Sequence, residues 1–516
     1  MFSDTTTLAW ELLYAPGGRR APGALEPSIS SSNLRSRRRI MSANLLASLS
    51  ATLRRQRHIR SAVLLTALTF AASSAGADHP FMFGRLFPEL PGYEAPDDAA
   101  LTVLTAAGTN TMPGPLFDQN LDLDDNRDLV PSFFTYFGQF LDHDMTRDTL
   151  PLPTSFVDPT TIPNQRDPRL NLDSVYLGGP TANPELYEAD GLRLKSNGRD
   201  LPRNPDGSAI VGDPRNDENQ VIAQLHVAFL RAHNKLIDQG YSFEKARELM
   251  RWRHQWIVVK EFLPDVLDPA VYDDVFRPDG RIETRYYDPN SAKKADMPVE
   301  FAVAAYRFGH SQVRRAYNIV QGGGRVQVFN GTAGDLHGGR PIAENRIIFW
   351  PNFLDVDGVP STGPANISRK IDSLLSSGLF TLPIPGAESE GSSILAKRNI
   401  QRAREYALPS GQAVAARLGL HVYSNAEIVA LIPRLAVLTG SAYQEGAPLW
   451  LYVLAESQIV HDGAKLGPTG SRIVAEVIGG LLAADNKSYY RKHWTPEGGV
   501  FRAQDLLREA GVLPTP

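Results

Sequence analysis

The 516-residue chain contains no cysteine. That absence excludes disulfides, thiolate metal sites, cysteine nucleophiles and thiolate-ligated cofactors. Long hydrophobic runs are also missing: the longest convincing one, residues 61–72, is too short for a comfortable membrane span. No basic stripe runs through the body of the chain and the net charge is −4, so nucleic acid is not an expected partner. Gly322-Gly323-Gly324 lacks the Gly-Lys-Ser/Thr continuation of a phosphate-binding loop. No repeat of fixed period stands out, and strand signals are scarce, with 324–330 and 346–350 as short candidates.

What is present is uneven. Residues 1–77 hold ten Arg and three acidic residues, leaving 43 basic and 54 acidic residues beyond them, a net charge near −11. Arg54, Arg55, Arg57 and Arg60 precede the apolar run 61–72, and Ala75-Gly76-Ala77 follows it. This is the layout of a secretory signal cleaved after Ala77, with Met41 as an alternative start and a retained N-terminal anchor as the rival reading. The expected division is 1–77 as extension and signal, and 78–516 as one domain. The expected location is secreted or periplasmic. Lack of disulfides in an exported protein is more usual for bacteria than for animals. Helical periodicity dominates the body, as at 243–263, 422–438 and 448–460, and 196–216 and 320–345 read as loops, so the fold class is mainly α. The acidic cluster Asp122, Asp124, Asp125 and Asp128 reads as a solvated loop, and His226 and His233 as a packed pair in a helix core rather than metal ligands.

The segment Gly138-Gln139-Phe140-Leu141-Asp142-His143-Asp144 is the most informative in the chain. It follows the aromatic run Phe133-Phe134-Thr135-Tyr136-Phe137 and sets a histidine between two carboxylates. An apolar helix seldom carries three such groups in a row unless something binds them. Helical spacing puts Gln139 and His143 on one face, with Asp142 beside it and Asp144 pointing elsewhere. Arg215-Asn216-Asp217-Glu218 opens a further helix, with Arg215 and Glu218 on one side. Tyr306-Arg307-Phe308-Gly309-His310 follows on another aromatic-rich helix.

These motifs, in this order, with His233-Asn234 after the second of them and Leu466-Gly467-Pro468-Thr469 further on, resemble the animal-type haem peroxidases of the peroxidase–cyclooxygenase superfamily. The likeness runs from about residue 85, and the missing cysteines bring the chain nearer to bacterial members. It implies a single large helical domain that binds haem b, reduces hydrogen peroxide, and oxidises halides (bromide, iodide), thiocyanate or small phenols. By the resemblance, His310 is the proximal iron ligand, supported by an amide that an ungapped alignment sets at Gln412, with Arg307 also at the cofactor. His143 is the distal acid–base group, Arg215 stabilises charge on the departing oxygen, and Gln139 holds a water or halide. Asp142 and Glu218 match carboxylates that form ester bonds to haem. Asn219 stands where some vertebrate members have a methionine, so a sulfonium link is not expected and efficient chloride oxidation is discounted.

Asp144 matches a calcium ligand. Aligning on Val175-Tyr176 adds Asp167, Arg169 (through its carbonyl), Asn171 and Asp173, hard oxygen donors that suit Ca²⁺. The rivals are a fatty-acid dioxygenase of the same superfamily and an inactive adhesion or matrix protein that kept the fold. The dioxygenases carry a radical tyrosine three residues before the proximal histidine. Here that position is Arg307, and Tyr306 would point about 100° away on a helix. The oligomeric state is not readable from the sequence.

Overall fold

The computed structural model describes residues 81–109, 112–118, 129–289, 295–383, 393–444 and 446–513. Contacts divide the chain into Met1–Asp78 and His79–Pro516, and all described residues belong to the second unit. The signal-like segment and the acidic cluster at 122–128 lie outside them.

Helices dominate, as the periodicity predicts. Seven α-helices of eight or more residues occur among the described residues: α1 Asp98–Thr105, α2 Ser132–Met145, α3 Gln220–Asp238, α4 Phe243–Ile257, α5 Leu395–Glu405, α6 Leu449–His461 and α7 Pro468–Ala484. Strands are short. β1 (Phe83–Gly84) pairs in parallel with β2 (Met297–Pro298), and β3 (Ala316–Asn318) pairs antiparallel with β4 (Arg325–Gln327).

The first strand candidate, 324–330, is thus trimmed to β4. The second, 346–350, is not a strand: 3₁₀ turns at Glu344–Arg346 and Trp350–Asn352 bracket it. Its apolar residues are anchored singly, Ile348 N–H donating to Gln224 Oε1 at 2.8 Å and Phe349 N–H to Ile319 O at 2.8 Å. A short apolar run can be buried by loop contacts without a ladder. Helical residues 425–439 are also broken in two, Asn425–Leu431 and the 3₁₀ run Pro433–Thr439, because Pro433 cannot continue the first helix.

The helix α2 is buried on nearly every side, so it runs through the core rather than over it. Phe133, Phe137, Phe140 and Leu141 are fully buried, each contributing roughly 1.5–3 kcal/mol of transfer free energy. Phe140 stacks on Phe229 of α3 with centroids 4.5 Å apart, which locks the two site-bearing helices together. The first free N–H groups of α2 go to loops: Ser132 donates to Asn366 O and Phe133 to Phe353 O, both at 2.9 Å.

Candidate functional site

The carboxyl end of α2 carries Gln139, Asp142 and His143. Two of its end carbonyls, His143 O and Thr146 O, accept from the Arg215 guanidinium. A cation there suits both the orphan carbonyls and the negative pole of the helix.

Arg215 does not open α3, as the spacing suggested. It sits in a separate 3₁₀ turn, Pro214–Asp217, because Asp213 caps that turn and Asn219 then breaks to an extended conformation before α3 starts at Gln220. Asn219 is the N-cap of α3, its side chain accepting from Val221 and Ile222 N–H. With three residues per 3₁₀ turn, Arg215 and Glu218 still share a side. Glu218 Oε2 accepts from Gln139 Nε2 at 3.1 Å, and Gln139 Oε1 accepts from Asn219 Nδ2 at 3.3 Å. Arg215 Nη1 is 3.9 Å from Asp142 Oδ2. Glu218 keeps solvent contact, but the protein packed around it pushes its carboxyl up against the opposing pull of Arg215.

His143 is buried, and its Nδ1 lies 2.9 Å from Asn216 Oδ1. The same amide donates through Nδ2 to His226 Nδ1 at 2.9 Å. With its oxygen facing His143, Asn216 accepts the proton that a neutral His143 carries on Nδ1. Nε2 is left with a free lone pair and has no hydrogen-bond partner among the described residues. Burial, with the charge of Arg215, pushes the His143 pKa down to about 4.

His310 comes after an irregular stretch: a π turn Glu300–Ala304, a 3₁₀ turn Ala305–Phe308, and one α turn Gly309–Gln312 that packs against α2. The regular helix expected for 306–310 is absent. The break falls at Ala304 (φ −126°, ψ −77°). The break precedes Tyr306, and in the 3₁₀ turn that follows, Tyr306 still points away from the Arg307 direction; its hydroxyl is buried near Gly138 and its ring stacks on Phe301 at 4.7 Å. The position three residues before His310 is still Arg307.

The amide beside His310 is Asn399 of α5, not Gln412. Asn399 Nδ2 is 2.8 Å from His310 Nδ1. Turning that amide over presents its oxygen, the arrangement an Nε2-bound imidazole needs. Gln412 is committed elsewhere: it donates to Tyr423 O (3.1 Å) and Asn425 Oδ1 (3.0 Å) and accepts from Ala447 N–H (2.8 Å). An ungapped count cannot know the lengths of the segments between motifs. A usable signal did exist. Ala396, Asn399, Ile400 and Ala403 fall at i, i+3, i+4 and i+7, which puts an amide on the buried face of a helix.

His310 Nε2 has no protein partner among the described residues either, and burial with the Arg307 charge pushes its pKa down to about 3. Arg307 donates through Nε to Ala302 O at 2.9 Å, while its two terminal nitrogens meet no described acceptor. Its guanidinium feels the charges of Asp142 and Arg215, so the His310 turn and the end of α2 share one electrostatic environment. A side chain at Gly309 would meet nothing within 4 Å. One buried and one half-buried imidazole, His143 and His310, each with an anchored Nδ1 and a free Nε2, a free guanidinium end and open space beside His310 fit a planar, iron-bearing, acidic cofactor.

The remaining expectations separate. His226 and His233 do not converge on one site: His226 serves Asn216, whereas His233 bonds Tyr176 OH at 2.9 Å and Leu192 O at 3.0 Å. Asp144 is fully buried and accepts from Leu172 N–H (3.0 Å) and Ser174 N–H (3.1 Å), with His254 Nε2 at 3.9 Å. Burial and the neighbouring Asp173 push its carboxyl up to about 7. Asp167 is taken by Arg169 and by Asn171 Nδ2, and Asp173 by Arg166 at 3.3 Å. No group of three or more His, Asp or Glu residues that could hold a metal forms among the described residues. Asn171 Oδ1 and Ser174 Oγ are buried without partners. Nor is any described helix long and apolar enough to cross a membrane.

The mainly helical core packs the turn that carries His310 against the helix that carries His143. The family model for animal haem peroxidases matches residues 181–506, more than half of the chain, and the chain belongs to that family. It is 25% identical to thyroid peroxidase of Canis lupus familiaris over 318 residues, 57% of this chain and 30% of the dog protein. It is 26% identical to peroxinectin A of Dictyostelium discoideum over 300 residues, 54% of this chain and 50% of that protein. The chain thus spans half or less of both relatives. Among solved structures, peroxidase A of D. discoideum superposes with a TM-score of 0.60 at 18% identity, covering 84% of this chain and 94% of that one. A fatty acid alpha-dioxygenase of Arabidopsis thaliana superposes at 0.52 and 16% identity over 83% of this chain and 76% of that one, a likeness of fold alone.

Proposed function

We propose that the protein is a haem peroxidase that reduces hydrogen peroxide and oxidises bromide, iodide, thiocyanate or small phenols. The observation that carries this reading is the pair of imidazoles, each anchored at Nδ1 by an asparagine and free at Nε2, with Arg215 beside only one of them. The asymmetry separates their roles. His310, with Asn399 behind it, would hold the iron through Nε2. The haem supplies the redox chemistry that splits peroxide.

The distal residues handle protons and charge. His143 Nε2 can take the proton from one peroxide oxygen and return it to the other, because the Asn216 bond keeps the opposite nitrogen protonated. Arg215 has Nε and Nη2 occupied and Nη1 open towards Asp142, so one N–H edge remains for a departing oxygen. Gln139 donates to Glu218 and accepts from Asn219, which fixes it at the cleft edge where a water or halide would bind. The test is iodide or guaiacol oxidation by haem-loaded protein with and without peroxide. No peroxide-dependent turnover of either donor would end the enzyme reading and favour the adhesion or matrix alternative. Dioxygenation is the weaker alternative, since the position of the radical tyrosine holds Arg307.

Asp142 and Glu218 support ester links to haem by their match to the family's carboxylates. Acid–solvent extraction after peroxide treatment should leave the haem band with the protein, and Asp142→Asn with Glu218→Gln should release it. A band that extracts fully from the wild type contradicts covalent attachment.

The depressed histidines set a pH dependence. His143 stays neutral down to about pH 4, so the peroxide reaction should hold flat from pH 7 to about 5 and fall below that. A fall centred near the ordinary imidazole value of about 6.5 would contradict the buried assignment. Stability follows the same sign. His143, His226, His254 and His310 are lowered to about 4, 4, 3 and 3. The unfolded chain takes up their protons first, so the melting temperature of the apoprotein should begin to drop as pH falls below about 6.5.

Calcium belongs to this reading as a separate expectation. Its support is the buried Asp144 carboxylate and the unpartnered Asn171 Oδ1 and Ser174 Oγ on the facing loop. Arg166 and Arg169 would have to yield Asp173 and Asp167 to it. Adding millimolar Ca²⁺ to chelator-treated protein should raise the melting temperature by several degrees; an unmoved transition removes calcium from the account. Export through the signal-like segment at 61–77 completes the proposal.

A further inference from the structure

Arg215 is held by a device the motif does not reveal. Asp213, two residues earlier and fully buried, accepts from Arg215 N–H (2.9 Å) and Nε (3.1 Å) through Oδ1 and from Nη2 (2.8 Å) through Oδ2. The same Oδ2 accepts from a second arginine, Arg166, through Nε at 3.0 Å and Nη2 at 2.7 Å. Arg166 is itself buried, donates to Gly212 O at 2.8 Å, and reaches Asp173 at 3.3 Å. Burial alone would raise the Asp213 carboxyl, but the charges and hydrogen bonds of Arg215 and Arg166 outweigh it and hold the group ionised. One carboxylate therefore carries two guanidinium groups in a buried row, Arg166–Asp213–Arg215, starting on the loop that precedes Val175-Tyr176 and ending beside His143.

We propose that Asp213 and Arg166 are positioning residues for Arg215, and so set the reactivity of the distal side without touching peroxide. This rests on the peroxidase reading above. Asp213 binds Arg215 along its Nε–Nη2 edge, which aims the remaining nitrogen, Nη1, at the Asp142 side of the cleft. Planar guanidinium–carboxylate pairing fixes orientation as well as distance. Arg166 keeps Asp213 in that register from the other side. Without Arg166, Asp213 can swing, and Nη1 loses its aim by a fraction of an ångström or more, enough to slow a reaction that depends on alignment.

The test uses the haem-loaded full chain in four forms: wild type, Arg166→Gln, Arg215→Gln and the double variant. Two quantities are read: the second-order rate of the haem-band change with hydrogen peroxide, and the dissociation constant of cyanide for the ferric protein. Arg166→Gln should slow the peroxide reaction by about ten-fold and weaken cyanide, with the resting haem spectrum unchanged. In the Arg215→Gln background it should change neither quantity, because nothing is left to aim. Loss by the same factor in both backgrounds, or no loss in the wild-type background, overturns the proposal. Asp213→Asn, close in shape, guards against a misfolded Arg166→Gln: it should slow the reaction at least as much, and an unchanged rate also overturns the proposal. If the wild type binds haem but ignores peroxide, the peroxidase reading fails, and the cyanide cycle alone still decides whether Arg166 acts through Arg215.

Discussion

His310→Ala should abolish the iron-linked absorption of the reconstituted protein, while the far-ultraviolet helix signal stays. The expectation follows from the wiring of the residue. Its Nδ1 is engaged by Asn399 at 2.8 Å, its Nε2 is free of protein partners among the described residues, and burial keeps the ring neutral. A neutral imidazole with one nitrogen supported and the other bare is the state in which it is a good iron donor. Asn399→Ala should leave the iron bound but less firmly, since it removes the support and not the ligand. An intact band in His310→Ala would move the proximal role elsewhere in the chain.

His143→Ala should leave haem binding intact and slow the peroxide reaction by about two to four orders of magnitude, the usual reach of a positioned acid–base group. The residue is buried, its Nδ1 is bonded to Asn216, and Arg215 donates to its main-chain carbonyl. Asn216→Leu should give a smaller loss, because the ring stays but its protonated nitrogen is no longer specified. Stopped-flow absorbance at equal haem content separates the two effects. Loss of haem from His143→Ala, or an unchanged rate, would contradict the division of labour between the histidines.

What could be read from the sequence was what sits on regular helices. The run Phe133–Phe137 with Gln139 and His143 four residues apart gave the helix, and both side chains meet the segment Arg215–Asn219, because α2 is a regular helix from Ser132 to Met145. Arg215 and Glu218 kept their relation for a different reason, since a 3₁₀ turn also aligns residues three apart. Reading failed where the backbone departs from an α-helix. The π and 3₁₀ turns before His310 replace the regular helix expected there, and no propensity argument marks where a helix widens by one residue. It failed again for partners far apart in sequence. His310 and Asn399 are 89 positions apart, and Arg166 and Asp213 are 47, so only folding brings them together. The carboxylates expected around Asp144 illustrate a third difficulty. Composition suggested oxygen ligands, but arginines 166 and 169 compete for the same groups.

The central claim, that His310 would hold a haem iron and His143 would move the protons of peroxide, is tested most directly by mixing the haem-loaded wild-type protein with one equivalent of hydrogen peroxide and following the haem band. The account predicts a rapid shift of the band that returns to its starting position when iodide is added, with iodine formed in step. A band that does not respond to peroxide, in protein whose haem is fully bound, would contradict it.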